Sequence, residues 1–207
     1  MLAAMGRWEP NTQQRLQQAA MALFLERGYA EVTVADIAER SGLTRRTFFN
    51  HYADKREVLF ANAKDFEAGV VRHLAEADPG LDAIDAAVDA LTRGGLEDLA
   101  QYGEYASARR ELIASSLELQ ERDLIKSTSL AAALTEGLRE RGVPGRTATF
   151  AAKAAVAVFT AAYDDWTDDT TAEFTTLMRQ ALTDLRHATC RAHAGNDSPP
   201  TGTPQEP

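Results

Sequence analysis

The chain has one cysteine, Cys190, which excludes an internal disulfide and suits a reducing compartment. It has no long apolar run. The longest uncharged stretch of that kind, residues 154–163, falls far short of the roughly 20 residues that a bilayer-crossing helix needs. The N-terminal MLAAMGRWEP lacks a signal-peptide core, since its apolar run is too short and its arginine follows that run. These absences predict a cytoplasmic protein with no membrane partner. Catalytic signatures are missing as well. There is no glycine-rich phosphate loop, no G-x-S-x-G elbow and no H-E-x-x-H helix. No nucleophile–base pair can be assembled from the rest, so neither an enzyme nor a bound cofactor is expected. Strand signals and internal repeats are also absent, which leaves an all-α chain.

Positive charge is in short supply. The chain carries 22 Lys/Arg against 31 Asp/Glu, a net charge of −9, which argues against a nonspecific nucleic-acid coat. Its distribution says more than its sum. Residues 1–60 carry eight Lys/Arg and seven Asp/Glu, a net of +1; residues 61–207 carry fourteen and twenty-four, a net of −10. Between 41 and 56, Arg45, Arg46, Lys55 and Arg56 face only Asp54. Local positive charge on an acidic chain suits a site-specific binder. The remainder is ordinary for a globular protein, with 44% apolar and 26% charged residues.

Asn11 or Thr12 can cap a first helix, whose Leu16, Ala19, Ala20, Leu23 and Phe24 recur at a 3.6-residue period. Gly28 is its stop, and Tyr29 and Val32 are expected core. Thr33 with Asp36 resembles a capping box and opens a helix to about Arg40. Ser41-Gly42-Leu43 breaks it, and Thr44 caps the next. Asp54 to Glu57 forms a third cap pattern, opening a helix from Lys55 to about Ala77, and Asp78-Pro79-Gly80 ends it. The span 81–101 is amphipathic but interrupted at Gly94-Gly95, so it reads as one helix or two. Helices near 105–117 and 119–141 follow. The helix over 146–163 is apolar on nearly all sides, hence buried on more than one. The last runs from near Thr170 to about 193, with a stripe of Phe174, Leu177, Met178, Ala181, Leu182 and Leu185. The Pro/Gly/Ser/Thr-rich tail predicts disorder. The expected domains are 1–54, 55–193 and a tail, 194–207.

Two short helices around a glycine turn, over about 33–52, form a helix-turn-helix pattern. In that motif the second helix enters the major groove while the first crosses the backbone. Thr33 and Thr44 fall at helix N-termini, where free N–H groups and a hydroxyl attract phosphate, although as caps they need no DNA. Arg45 and Arg46 are the candidates for base reading, because a guanidinium pairs two-pronged with guanine O6 and N7. Thr47 can meet a thymine methyl. Phe49 can press on a sugar-phosphate. His51 and Lys55 lie further along, where backbone contacts set register and affinity. Phe48 and Tyr52, spaced i and i+4, are expected in the core.

These residues carry a resemblance. Gly28-Tyr29, Thr33-Val34-Ala35-Asp36-Ile37-Ala38, Ser41-Gly42-Leu43-Thr44, Phe48-Phe49-Asn50-His51-Tyr52 and Asp54-Lys55 follow one another nearly without gaps. Over 11–60 the chain resembles the DNA-binding domain of TetR-family transcriptional regulators. The resemblance implies an N-terminal three-helix DNA-binding domain and a larger helical domain for ligand binding and dimerisation. In the latter, the last two long helices would form a four-helix bundle with a second copy. It implies phosphate contacts for Thr33, Thr44, Phe49, His51 and Lys55, and base contacts for Arg45, Arg46 and Thr47. It also implies a homodimer on a roughly palindromic double-stranded operator, released as a repressor by a small-molecule effector. The chain departs from the family at three positions. Many members have glycine at Arg46, tyrosine at Phe49 and an acidic residue at Arg56. Losing the tyrosine hydroxyl removes a phosphate hydrogen bond, and Arg56 is expected to add positive charge near the DNA backbone.

Other clusters carry less. Asp164, Asp165, Asp168 and Asp169 are expected as an acidic solvated loop rather than a cation site. His187 and Cys190 share a helix face, but His193 lies about 120° away, so no metal site is expected. His73 with Glu76 reads as a surface pair. Phe66, Tyr102, Phe159, Tyr163, Trp166 and Met178 are candidates for lining an effector pocket, though at helical spacing such residues are ordinarily core. The rival class is a helical scaffold or enzyme containing an incidental helix-turn-helix, and specific operator binding separates the two.

Overall fold

The computed structural model describes residues 12–190, apart from the side chains of Gln101, Tyr102 and Glu104. The cap expected at Asn11, the tail and His193 lie outside them. The described residues form α1 (Thr12–Arg27), α2 (Val34–Arg40), α3 (Arg45–His51), a 3-10 turn (Arg56–Val58), α4 (Ala63–Glu76), α5 (Ala83–Tyr102), a second 3-10 turn (Gly103–Tyr105), α6 (Ala106–Ala114), α7 (Leu117–Glu140), α8 (Gly145–Asp168) and α9 (Phe174–Thr189).

The first three helices and the first 3-10 turn make a head. The α1 stripe Leu16, Ala19, Ala20, Leu23 and Phe24 is buried, together with Val32, Ile37 and Phe48. Burial of each large side chain stabilises the head by about 1.5–3 kcal/mol. Gly42 takes φ +65° in the turn, a region glycine enters without a Cβ clash. Leu43 N–H then donates to Ala38 O at 2.9 Å, closing α2 with the bond pattern of a glycine C-terminal cap.

The helix expected to start at Lys55 does not start there. Asp54 does cap, its Oδ1 accepting from the N–H groups of Arg56 (2.9 Å) and Glu57 (3.3 Å). The turn it caps ends at Val58, and α4 begins only at Ala63. Val58, Leu59 and Phe60 are all buried in the head's core, beside Leu112 of α6 and Leu119 of α7. Three consecutive apolar residues cannot share one face of an α-helix, so the chain coils more tightly and opens out here. The head therefore runs past residue 54, and its core continues into the body.

The body buries a second core between α4, α5, α7, α8 and α9. Here α5 is one helix, not two. Glycine costs about 1 kcal/mol in a helix interior, but these glycines serve close packing. A Cβ on Gly94 would stand 2.7 Å from Val70 Cγ2, and one on Gly95 would stand 2.6 Å from Phe174 Cε1. The small side chains of Ala148, Ala151, Ala152 and Ala155 bury the start of α8. That helix continues to Asp168, so Asp164, Asp165 and Asp168 sit on its final turns rather than in a loop. Arg110 of α6 donates to Asp164 O at 2.9 Å and to Asp168 Oδ1 at 2.6 Å.

His73 is not a surface residue. Only 5% of it is exposed, because α5 covers this part of α4, and its Nε2 lies 2.9 Å from Glu97 Oε1. Arg141, at the end of α7, donates to the carbonyls of Leu74 (3.0 Å), Ala77 (3.0 Å) and Asp78 (2.8 Å). These close the last turn of α4. Among the described residues, no helix is long and apolar enough to cross a membrane, and no His, Cys, Asp or Glu cluster could hold a metal.

Candidate nucleic-acid interface

Helix α3 is aimed by its buried side. Phe48 is wholly buried and Tyr52 nearly so, their rings 5.5 Å apart. With that side fixed on Ile37 and Phe24 in the head's core, Arg45, Arg46, Phe49 and Asn50 face outward. Phe49 is 52% exposed and stands edge-on to Phe48, 5.5 Å between centroids. An exposed phenylalanine beside two exposed arginines is a surface shaped for contact. Thr44 caps the helix. Its Oγ1 accepts from Thr47 N–H at 3.0 Å, and the two hydroxyls share a hydrogen bond at 2.9 Å. Thr47 and His51 are half-buried, and the His51 ring lies 6.3 Å from that of Tyr52. Six of the eight residues singled out by sequence thus belong to α3 and its cap.

The other two are placed differently. Thr33 caps α2, and the expected box forms with Asp36 in place of glutamate. Thr33 N–H donates to Asp36 Oδ2 at 2.8 Å and Asp36 N–H donates to Thr33 Oγ1 at 3.2 Å, while the Thr33 hydroxyl also donates to Asp36 Oδ2 at 2.7 Å. Its hydroxyl bonds hold the Asp36 carboxyl below the usual aspartate range. Lys55 turns inward. Its Nζ donates to the carbonyls of Tyr29 (2.8 Å), Val32 (2.9 Å) and Ala30 (3.3 Å) and lies 4.2 Å from the Tyr29 ring centroid. An ammonium has three N–H groups, and three carbonyls of the α1–α2 connection receive them. Arg56 is likewise committed. It pairs with Asp54 at 2.6 Å and lies 3.3 Å from Glu118, so it adds no free charge to the face. The local excess read between 41 and 56 reduces to Arg45 and Arg46.

Sequence reasoning missed two features. One is the seam between head and body, where Arg122 of α7 lies 2.5 Å from Glu57 Oε1 and Lys126 lies 3.6 Å from its other oxygen. The hydrogen bond from Arg122 holds the Glu57 carboxyl below its ordinary range. The other is a cavity of about 680 Å³ between α1, the segment 58–67, and helices α5 to α8. Phe66, Phe159 and Tyr163 line it, as do Asn62, Asp98 and Arg109. Of the remaining pocket candidates, Met178 is buried in the body core, Trp166 packs against that core, and the side chain of Tyr102 lies outside the described residues. No motif announced Asn62, Asp98 or Arg109, because only the fold brings them together.

A helix-turn-helix head with a buried-side-locked second helix, on an all-helical body, defines a DNA-binding transcriptional regulator as the class. Residues 16–61 match the family model described as bacterial regulatory proteins, tetR family. The chain is 30% identical over 141 residues to the transcriptional repressor AcnR of Corynebacterium efficiens, covering 68% of this chain and 69% of that one. It is 35% identical over 83 residues to the putative mycofactocin biosynthesis regulator MftR of Mycobacterium tuberculosis, where the match spans 40% of this chain and 38% of that protein's length. The solved SmeT–triclosan complex shares the fold, with a TM-score of 0.57 at 20% identity over 94% of this chain and 99% of that one. The chain belongs to the TetR family of bacterial regulatory proteins. The relatives are regulators rather than enzymes.

Proposed function

We propose that this chain is a cytoplasmic, homodimeric repressor that grips double-stranded operator DNA with α3 and releases it when a small molecule fills the cavity. The observation that carries the reading is the outward face of α3. Arg45 and Arg46 there are exposed and held by a buried counterface, with Thr47 beside them. They read bases. Thr44, Phe49 and His51 meet the sugar-phosphate backbone. Thr33 and Lys55 act behind this face, holding the start of α2 and the α1–α2 connection in place.

Dimerisation is supported by α8. Phe150, 64% exposed, continues into Ala154, Ala157 and Ala161 at i, i+4, i+7 and i+11. This is an apolar stripe of small residues, with Phe150, Ala157 and Ala161 exposed. Helix α9 offers less, since Phe174, Met178 and Leu182 of its stripe turn into the core. Two-fold protein symmetry then matches a roughly palindromic operator. Effector control is supported by shared walls: Val58, Leu59 and Phe60 line the cavity and also belong to the head's core. SmeT, of the same fold, was solved with triclosan.

Selection of bound sequences from random DNA tests the reading, and failure to enrich any motif would sink it. On the selected site, Arg45→Ala should cost about 1–3 kcal/mol and relax one operator position. An unchanged preference would remove Arg45 from base reading. In light scattering the wild-type chain should have a dimer's mass at micromolar concentration, and Phe150→Glu should give a monomer's.

A further inference from the structure

We propose that the cavity selects an organic cation, a protonated amine carried on an aromatic or apolar body, with Asp98 as its counter-ion. The proposal rests on the cavity being the effector site. Lys64 and Asp65 of the lining are exposed to solvent, and Glu67 accepts a hydrogen bond from Ser129 at 2.8 Å. Of the remaining charged groups all but one are answered by an opposite charge. Arg110 holds Asp164 and Asp168. Lys126 faces Glu57. Arg109 donates through Nε to Leu59 O at 2.8 Å and sets its Nη2 3.7 Å from Asp123. Asp98 accepts a hydrogen bond from the Asn62 amide and, among the described residues, forms no ion pair. Arg109 reaches it only at longer range, while burial pushes its carboxyl above the usual aspartate range.

A desolvated carboxyl without a cation is costly to ionise, and a ligand ammonium removes that cost. The adjoining wall suits the same ligand. Phe66 and Phe159 have centroids 5.4 Å apart, and Phe159 stacks on Tyr163 at 6.1 Å. Ring faces attract cations and bury the apolar body that carries them. A neutral ligand would use the rings alone, and a carboxylate would meet Asp98 with like charge.

Three probes of one shape decide the matter: 1-naphthylmethylammonium, 1-naphthylmethanol and 1-naphthoate, titrated calorimetrically into the full-length protein. The wild-type chain should bind the ammonium at least about tenfold more tightly than the alcohol, and the naphthoate most weakly. Asp98→Asn should erase the preference of the ammonium over the alcohol. An alcohol or naphthoate that binds as well as the ammonium overturns the proposal, as does a preference that survives Asp98→Asn or an ammonium that does not bind. The wild-type comparison decides even if the variant folds poorly. Operator release measured with the same probes separates this proposal from the reading beneath it. Release by the alcohol but not by the ammonium keeps the cavity as effector site and removes the cation. Binding at the cavity without any release, with Val156→Trp abolishing that binding, removes the effector role itself.

Discussion

Head and body hold themselves together over different distances along the chain. In the head the caps of the reading face are short-range, and its longest polar contacts, Arg15 to Ser41 O and Lys55 to Tyr29 O, span only 26 residues. Thr33 answers Asp36, Thr44 answers Thr47 and Asp54 answers Arg56, each two or three residues away. In the body the partners are far apart in sequence. Arg186 reaches Asp85 across 101 residues, Arg141 reaches Leu74 across 67, and Ser107 reaches Thr167 across 60. Local caps form wherever their own stretch folds, and the face needs only the head's core to aim it. A cavity built from distant partners exists only once the whole body has closed.

The largest effect should come from the core that the two regions share. Phe48→Ala empties a wholly buried site in the head and should cost about 3–5 kcal/mol. Because Leu112 and Leu119 complete that core, urea unfolding followed by circular dichroism should shift as one transition. A separate early transition for the head would show the two regions to be independent. Next comes Lys55→Met, which removes three hydrogen bonds from a charged donor to carbonyls. It should cost roughly 2–4 kcal/mol and weaken operator binding with no change in salt slope. A slope reduced by about one would return Lys55 to the phosphate backbone.

The smallest effect is expected at the seam. Glu57→Gln loosens the pairs to Arg122 and Lys126, which are partly solvated, and should cost about 1 kcal/mol at neutral pH. The folded carboxyl titrates below the ordinary 4.5. Its contribution is therefore full above that value and lost as pH falls through the lower folded one. The difference between wild type and variant, measured by chemical denaturation, should shrink in that acid window and persist above it. A difference that grew on acidification would contradict the assignment.

The same contrast explains what was legible beforehand. The all-α class, the α1 stripe, both threonine caps and the inward turn of Phe48 and Tyr52 follow from neighbours within one or two turns of helix. Where tertiary packing decides, local reading erred. Val58, Leu59 and Phe60 broke a helix that the Asp54 cap had promised, since all three are drawn inward. Gly94 and Gly95 did not break one, since Val70 and Phe174 press against them. His73 looked solvated until α5 covered it. Lys55 and Arg56 looked like free charge until the Tyr29–Val32 connection, Asp54 and Glu118 claimed them. Asp98 carries no local mark, because its solitude is a property of what the fold leaves around it.

Arg141 gives helix α4 the mechanics of a lever. By tying down the carbonyls of Leu74, Ala77 and Asp78 it makes the far end of that helix a fulcrum. The 14 residues of α4 span roughly 21 Å at 1.5 Å per residue, and a tilt of about 5° carries the opposite end through nearly 2 Å. That end is Asn62, which lines the cavity and stands two residues from the head's buried Phe60. A displacement too small to disturb the fulcrum is thus magnified where the cavity and the head meet.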